Sequence, residues 1–148
     1  MRRRLKKELF SYCNSESLSE DGLREIITRH GLTPHDVSDY KFFFRACYNR
    51  RVNEGLIRCL LEYFPDAARA TENGGELPLH VACGNTNVTL NIIQLLIDAA
   101  PDTVRSVNNY GNMPLHYLCR NEELDETAAL GILRLLIEKH PETIRHAK

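Results

Sequence analysis

A block of thirteen residues that returns 36 positions later constrains this chain more than any other feature. Asn73–Asn85 (NGGELPLHVACGN) and Asn109–Asn121 (NYGNMPLHYLCRN) agree at seven of the thirteen positions, where composition alone gives about one match. Self-similarity at a period of 20–50 residues marks an array of supersecondary units. Leu95–Arg105 (LLIDAAPDTVR) overlays Leu135–Arg145 (LLIEKHPETIR) at a shift of 40, so four residues enter the second copy between the two blocks. A loop is the expected place for them. Upstream, Ala46-Cys47-Tyr48-Asn49 precedes Ala82-Cys83-Gly84-Asn85 by 36, and Pro65–Arg69 precedes Pro101–Arg105 by 36. Tyr12-Cys13-Asn14 lies 34 before the Ala46 block and leads into Leu23, Ile26 and Ile27, ending at Gly31. The 148 residues therefore divide into units of approximately 3–37, 38–72, 73–108 and 109–148 within a single domain.

Each unit shares one local grammar. A turn rich in Asn and Gly precedes Pro78 or Pro114, whose fixed φ suits the first position of a helix. Leu79, Ala82 and Cys83, and equally Leu115, Leu118 and Cys119, recur at helical spacing and define one buried face. A longer second helix follows. In the last unit Leu130, Leu133, Leu136 and Ile137 share a face that Ile132 and Leu135 widen, so this helix needs cover on more than one side. Ser17-Leu18-Ser19-Glu20 reads as a capping box, and Gly31 with Pro34 closes the helix it starts. Pro65, Pro101 and Pro141 stop the second helices at one equivalent point. The predicted fold is all-α, a solenoid of stacked helix-turn-helix units with projecting turns.

Gly75–Cys83 (GELPLHVAC) and Gly111–Cys119 (GNMPLHYLC) resemble the Gly-x-Thr-Pro-Leu-His-x-Ala-Ala signature of ankyrin repeats. The resemblance covers residues 38–148 well and 3–37 by register. It implies a non-enzymatic module that binds another protein through the concave surface of the stack. The contact positions it implies are Tyr40, Tyr48, Asn49, Asn73, Glu76, Asn85, Tyr110, Asn112, Arg120 and Asn121. The chain departs from the signature in three ways. Leu77 and Met113 replace the usual Thr, so Glu76 or Asn112 is expected to cap the first helix instead. Phe42-Phe43-Phe44 stands where Pro-Leu-His belongs in the second unit, which leaves that helix's start open. Units of 36 and 40 residues, longer than is usual in the family, imply longer second helices or loops.

Rival readings start from His80-x-x-Cys83 and His116-x-x-Cys119, whose spacing puts both groups of each pair on one helical face. A zinc site needs about four ligands, hence two helices. Equivalent helices in adjacent repeats run about 8–10 Å apart with their side chains in parallel, which works against convergence. The favoured reading makes the histidines order the turns and makes Cys13, Cys47, Cys83 and Cys119 core atoms. No metal, cofactor or catalytic residue is expected, and Asn73-Gly74-Gly75 lacks the Lys-Ser/Thr of a phosphate loop. A purely architectural spacer is the remaining alternative.

Net charge is −1, with residues 1–50 at +3 and residues 51–148 at −4. That imbalance is too mild for a nucleic-acid-binding face. No apolar run reaches membrane-spanning length, since Gln94 and Asp98 interrupt Ile92–Ala100. The five cysteines, with no signal peptide, predict reduced thiols in the cytoplasm or nucleus. Arg2-Arg3-Arg4-Leu5-Lys6-Lys7 has the composition of a nuclear import signal or an arm for acidic partners, but reads better as a solvated helix face with Leu5 and Leu9 inward. Glu122–Glu126 is expected to fill the four-residue insertion as a solvated loop. Finally, Leu130–His140 is expected to leave an apolar strip uncovered, giving either self-association of an otherwise monomeric chain or a chain that was once longer.

Overall fold

The computed structural model describes residues 2–31 and 39–139. Pro34, Pro141 and the end of the last unit lie outside the described residues. The elements are α1 (Arg2–Cys13), α2 (Glu20–His30), α3 (Lys41–Tyr48), α4 (Glu54–Tyr63), α5 (Pro78–Cys83), α6 (Leu90–Ala99), α7 (Pro114–Arg120) and α8 (Glu126–Lys139). Consecutive helices pair within each unit. The first helices also pack on one another as α1·α3·α5·α7, and the second helices as α2·α4·α6·α8. The result is a two-layer stack in which each unit touches its neighbours, the arrangement of a repeat solenoid.

Side chains fix the helix ends. Asn53 Oδ1 accepts from Leu56 N at 2.9 Å and Thr89 Oγ1 from Ile92 N at 3.3 Å, so each serves as an N-cap. Pro78 and Pro114 open α5 and α7 as expected. The α2 cap is Ser19, not Ser17: its hydroxyl accepts from Gly22 N at 3.2 Å, and Glu20 pairs with Arg24 instead of closing a capping box. Tyr12 shifts the start, because its hydroxyl accepts from Ser19 N and donates to Ser17 O while Leu18 is buried between them. Gly31, at φ 58, ends α2 in the left-handed conformation that glycine adopts freely. Pro65 and Pro101 stop α4 and α6 and each opens a short 3-10 turn, Pro65–Arg69 and Pro101–Arg105.

The core runs unbroken from Leu5 to Leu136. Phe42, Phe43 and Phe44 are all buried in α3, with Phe42 edge-on to Phe64 at 5.1 Å. Each such side chain contributes roughly 1.5–3 kcal/mol of burial. Bulk therefore replaces the Pro-Leu-His start without loss of the helix. Leu5 and Leu9 face inward from the basic first helix.

Two expectations fail in the last unit. The four extra residues are not in the acidic loop, because Leu124 is buried where Val88 is, 36 residues earlier, and α8 starts 36 residues after α6. The insertion lengthens the helix itself, from ten residues in α6 to 14 in α8. A four-residue insertion adds about one 3.6-residue turn, so the apolar face keeps its direction. Cys119 is exposed, unlike Cys13, Cys47 and Cys83, because no further first helix packs over α7 among the described residues.

Candidate partner-binding surface

The surface rests on two glycine-bent turns. Gly74 (φ 85), Gly75 (φ 74) and Gly111 (φ 81) supply positive φ, which residues with a Cβ adopt at a cost. Glu72 N donates to Glu76 O at 3.0 Å in one turn, and Asn108 N to Asn112 O at 2.9 Å in the other. Asn109 N donates to Gly74 O at 2.8 Å, which binds one turn to the next.

Neither Glu76 nor Asn112 caps a helix. His80 Nδ1 accepts from Leu77 N at 3.1 Å and His116 Nδ1 accepts from Met113 N at 2.8 Å, so the histidine three residues into each helix ties down the residue before the proline. This leaves His80 Nε2–H to donate to Asn112 O of the next turn at 2.9 Å. Burial holds the His80 pKa below its ordinary value, consistent with a neutral ring. Glu76 instead joins two units, its Oε1 accepting from Asn108 Nδ2 at 2.8 Å and from the Tyr117 hydroxyl. Burial first, and the Glu76 carboxylate second, push Tyr117 up to about 12.

Three of the expected contact residues form an internal ladder. Asn49 Nδ2 donates to Cys13 O and Ser15 O, both at 2.8 Å. Asn85 repeats this with Cys47 O at 2.8 Å and Asn49 O at 3.0 Å, and Asn121 with Cys83 O at 3.0 Å and Asn85 O at 3.1 Å. The accepting cysteines lie at the ends of α1, α3 and α5, where helical carbonyls lack intrahelical donors. Each asparagine thus caps the preceding unit. Asn85, only 9% exposed, is first a stacking residue, and the little surface it keeps lines the groove between α3 and α5.

The remaining expected residues spread along one face. Tyr48, Asn73 and Glu76 line an open groove of about 660 Å3 between α3 and α5, together with Arg45, Arg50 and Glu72. Tyr48 is 51% exposed and its hydroxyl donates to Glu72 at 3.3 Å. Asn49 belongs to an adjoining groove of about 560 Å3 with Arg50 and Arg51. Tyr110, 75% exposed, lies over Gly74, while Arg120 donates to Asn112 Oδ1 at 2.7 Å and stacks on Tyr117 at 5.6 Å. Those three, Tyr110, Asn112 and Arg120, stand beside the grooves rather than in them. Tyr40 is half-buried against Phe42 at 6.2 Å and lines neither groove.

The family model described as "Ankyrin repeats (3 copies)" matches residues 43–145. The chain belongs to the ankyrin-repeat family. No curated protein matches it. The match begins inside α3, so the α1–α2 pair joins the ankyrin stack by packing and by the Asn49 rung rather than by signature. Ankyrin repeats are generally protein–protein interaction modules.

In these repeats His80 and Cys83 hold the fold, and in the second pair His116 does so through Met113 N while Cys119 is exposed. Both His80 nitrogens have backbone partners, and burial pushes the Cys83 thiol up to about 12. Such a thiol is a poor nucleophile and a poor ligand. No group of three or more His, Cys, Asp or Glu among the described residues is placed to hold a metal ion. No helix among them is long and apolar enough to cross a membrane. Sequence reasoning missed Arg45 and Tyr117, which carry no motif; their positive and aromatic character on the first helices was the available signal.

Proposed function

We propose that this ankyrin-repeat chain works without catalysis, as a module that holds a partner protein along the face made by its first helices and turns. One observation carries the reading: the groove between α3 and α5 is open, is lined by Tyr48, Asn73 and Glu76, and includes Asn85, whose hydrogen bonds to Cys47 O and Asn49 O tie its two walls together. Tyrosines offer large contact area at low entropic cost, and Tyr48 and Tyr110 are the two most exposed aromatic side chains on this face. A partner encountered in the cytoplasm or nucleus accords with five unpaired thiols. Affinity purification from the native source, followed by binding of the identified partner to Tyr110→Ala/Arg120→Ala, tests the surface. Normal binding by that variant, with loss on changing the outer helices, overturns it.

A second copy of the chain is the alternative occupant of a different surface. Leu130 on α8 is 51% exposed, and the next residue, Gly131, lies against Leu90 of α6, itself 41% exposed. Sedimentation of wild type and Leu130→Asp decides between them, since a concentration-independent monomer in both removes self-association through α8.

A further inference from the structure

In the first two units the second helices pair their cations and the first helix of the second unit does not; farther along, Arg134 and Lys139 of α8 are in no ion pair among the described residues. Ion pairs among the described residues engage Arg24, Arg29 and His30 of α2, Arg58 of α4, and Arg69 of the Pro65–Arg69 turn. Lys41, Arg45, Arg50 and Arg51 are in none of them. These four belong to Lys41–Arg51 (KFFFRACYNRR), a segment with no Asp or Glu that forms the first helix of the second unit and the turn after it.

Arg45 is the most constrained of them. Its guanidinium sits over the Phe10 ring at 5.3 Å and over the Tyr48 ring at 5.6 Å. Its Nε is buried with no hydrogen-bond partner. Aromatic faces hold a guanidinium in place but do not replace the oxygen acceptors that its five N–H groups take. Arg45 and Arg50 line the larger groove, and Arg50 and Arg51 the adjoining one, so Arg50 and Tyr48 form the ridge between them. The carboxylates on the same wall are already engaged: Glu72 accepts from the Tyr48 hydroxyl, and Glu76 from Asn108 and Tyr117.

We propose that an extended, Asp- and Glu-rich segment of the partner protein crosses the Tyr48–Arg50 ridge, with its carboxylates on Arg45 and Arg50. The inference rests on the first-helix face being the binding surface and adds the partner's chemistry. Arginine suits this role because its planar fork matches a carboxylate with two parallel hydrogen bonds. Glu16, Glu72 and Glu76 line the same two grooves and repel any polyanion, so the segment must place neutral residues beside them, which a peptide can do and an unbroken phosphate backbone cannot.

The test is fluorescence anisotropy of the full chain with a labelled peptide of alternating Glu and Ala, its Gln counterpart, and a labelled single-stranded oligonucleotide. The Glu peptide binds, rising salt weakens it, and the Gln peptide binds at least about tenfold less well. Arg50→Gln/Arg51→Gln, at exposed positions where the Arg51 Nε bond to Leu18 O at 3.3 Å is lost, weakens it by a similar factor with native circular dichroism, as do Arg50→Gln alone and Arg45→Gln if its circular dichroism is native. Arg58→Gln on α4 changes nothing. Equal binding of the two peptides, wild-type binding by Arg50→Gln/Arg51→Gln, or preference for the oligonucleotide overturns the acidic-segment inference. Amide shift mapping separates the two readings. Glu-peptide shifts on α3 and α5 that survive the arginine changes sink only the electrostatic claim, whereas shifts confined to the outer helices sink the surface itself.

Discussion

His80 ties one helix start to the turn of the next unit through two backbone hydrogen bonds, and the pair together requires the neutral ring. His80→Ala leaves Leu77 N and Asn112 O without these partners and is expected to cost roughly 1–3 kcal/mol, read as a lower denaturation midpoint. Because burial lowers the folded-state pKa below 6.5, the unfolded chain binds the proton first as pH falls. Stability from this residue is therefore present above the unfolded pKa and declines as pH drops below about 6.5, levelling once the folded state also protonates. His80→Gln is expected to flatten that decline in urea titrations repeated across pH. The cysteines give a second check at this scale. Cys119 is the exposed thiol and the other four are buried, so an aromatic disulfide reagent is expected to label one thiol in the native protein and all five after denaturation. Fast native labelling of Cys83 contradicts the packing of α5.

At the scale of elements, the turns and the asparagine rungs decide how precisely the face is presented. Gly74 carries φ 85, and a Cβ there meets the exposed Tyr110 ring at 2.8 Å. The ring can swing away, so the backbone conformation dominates the cost of Gly74→Ala, about 1 kcal/mol or more in thermal unfolding. Asn85→Ala removes a rung that bonds carbonyls 38 and 36 residues upstream, and roughly 1–3 kcal/mol of stability is expected to go with it. Tyr110→Ala/Arg120→Ala removes no rung. It is expected to weaken partner binding by at least about 1 kcal/mol in calorimetry while leaving the melting temperature nearly unchanged.

For the whole molecule, a stack whose units touch only their neighbours is most stable where both neighbours are present. All six residues of α5 are buried, whereas α8 exposes Leu130 and leaves Leu133 and Ile137 half-buried. Amide hydrogen exchange is expected to be slowest in α5 and α6 and to rise through α7 to α8. Equal protection of α8 and α5 refutes the one-dimensional picture. The exposed ion pairs, such as Arg69–Asp102 at 2.9 Å, add little to this gradient because water screens them.

The number of units, the helix pairs and most helix ends were legible in the sequence because each depends on groups a few residues apart. Prolines at helix starts, glycines at positive φ and apolar spacing act within a turn or two, and the repeat multiplies that short-range signal. Tertiary structure alone decided what the repeated asparagines and histidines do. Asn49, Asn85 and Asn121 stand at contact-like positions in sequence, yet their partners are carbonyls of the preceding unit. Glu76 meets Tyr117 41 residues away, and His80 meets Asn112 32 residues away. Even the four extra residues of the last unit were misplaced by overlaying the repeats, since a helix absorbs about one added turn without rotating its buried face. Hydrogen-bond partners across the stack are set by the stacking geometry of whole units, and a linear pattern records that the same residue recurs, not what it meets.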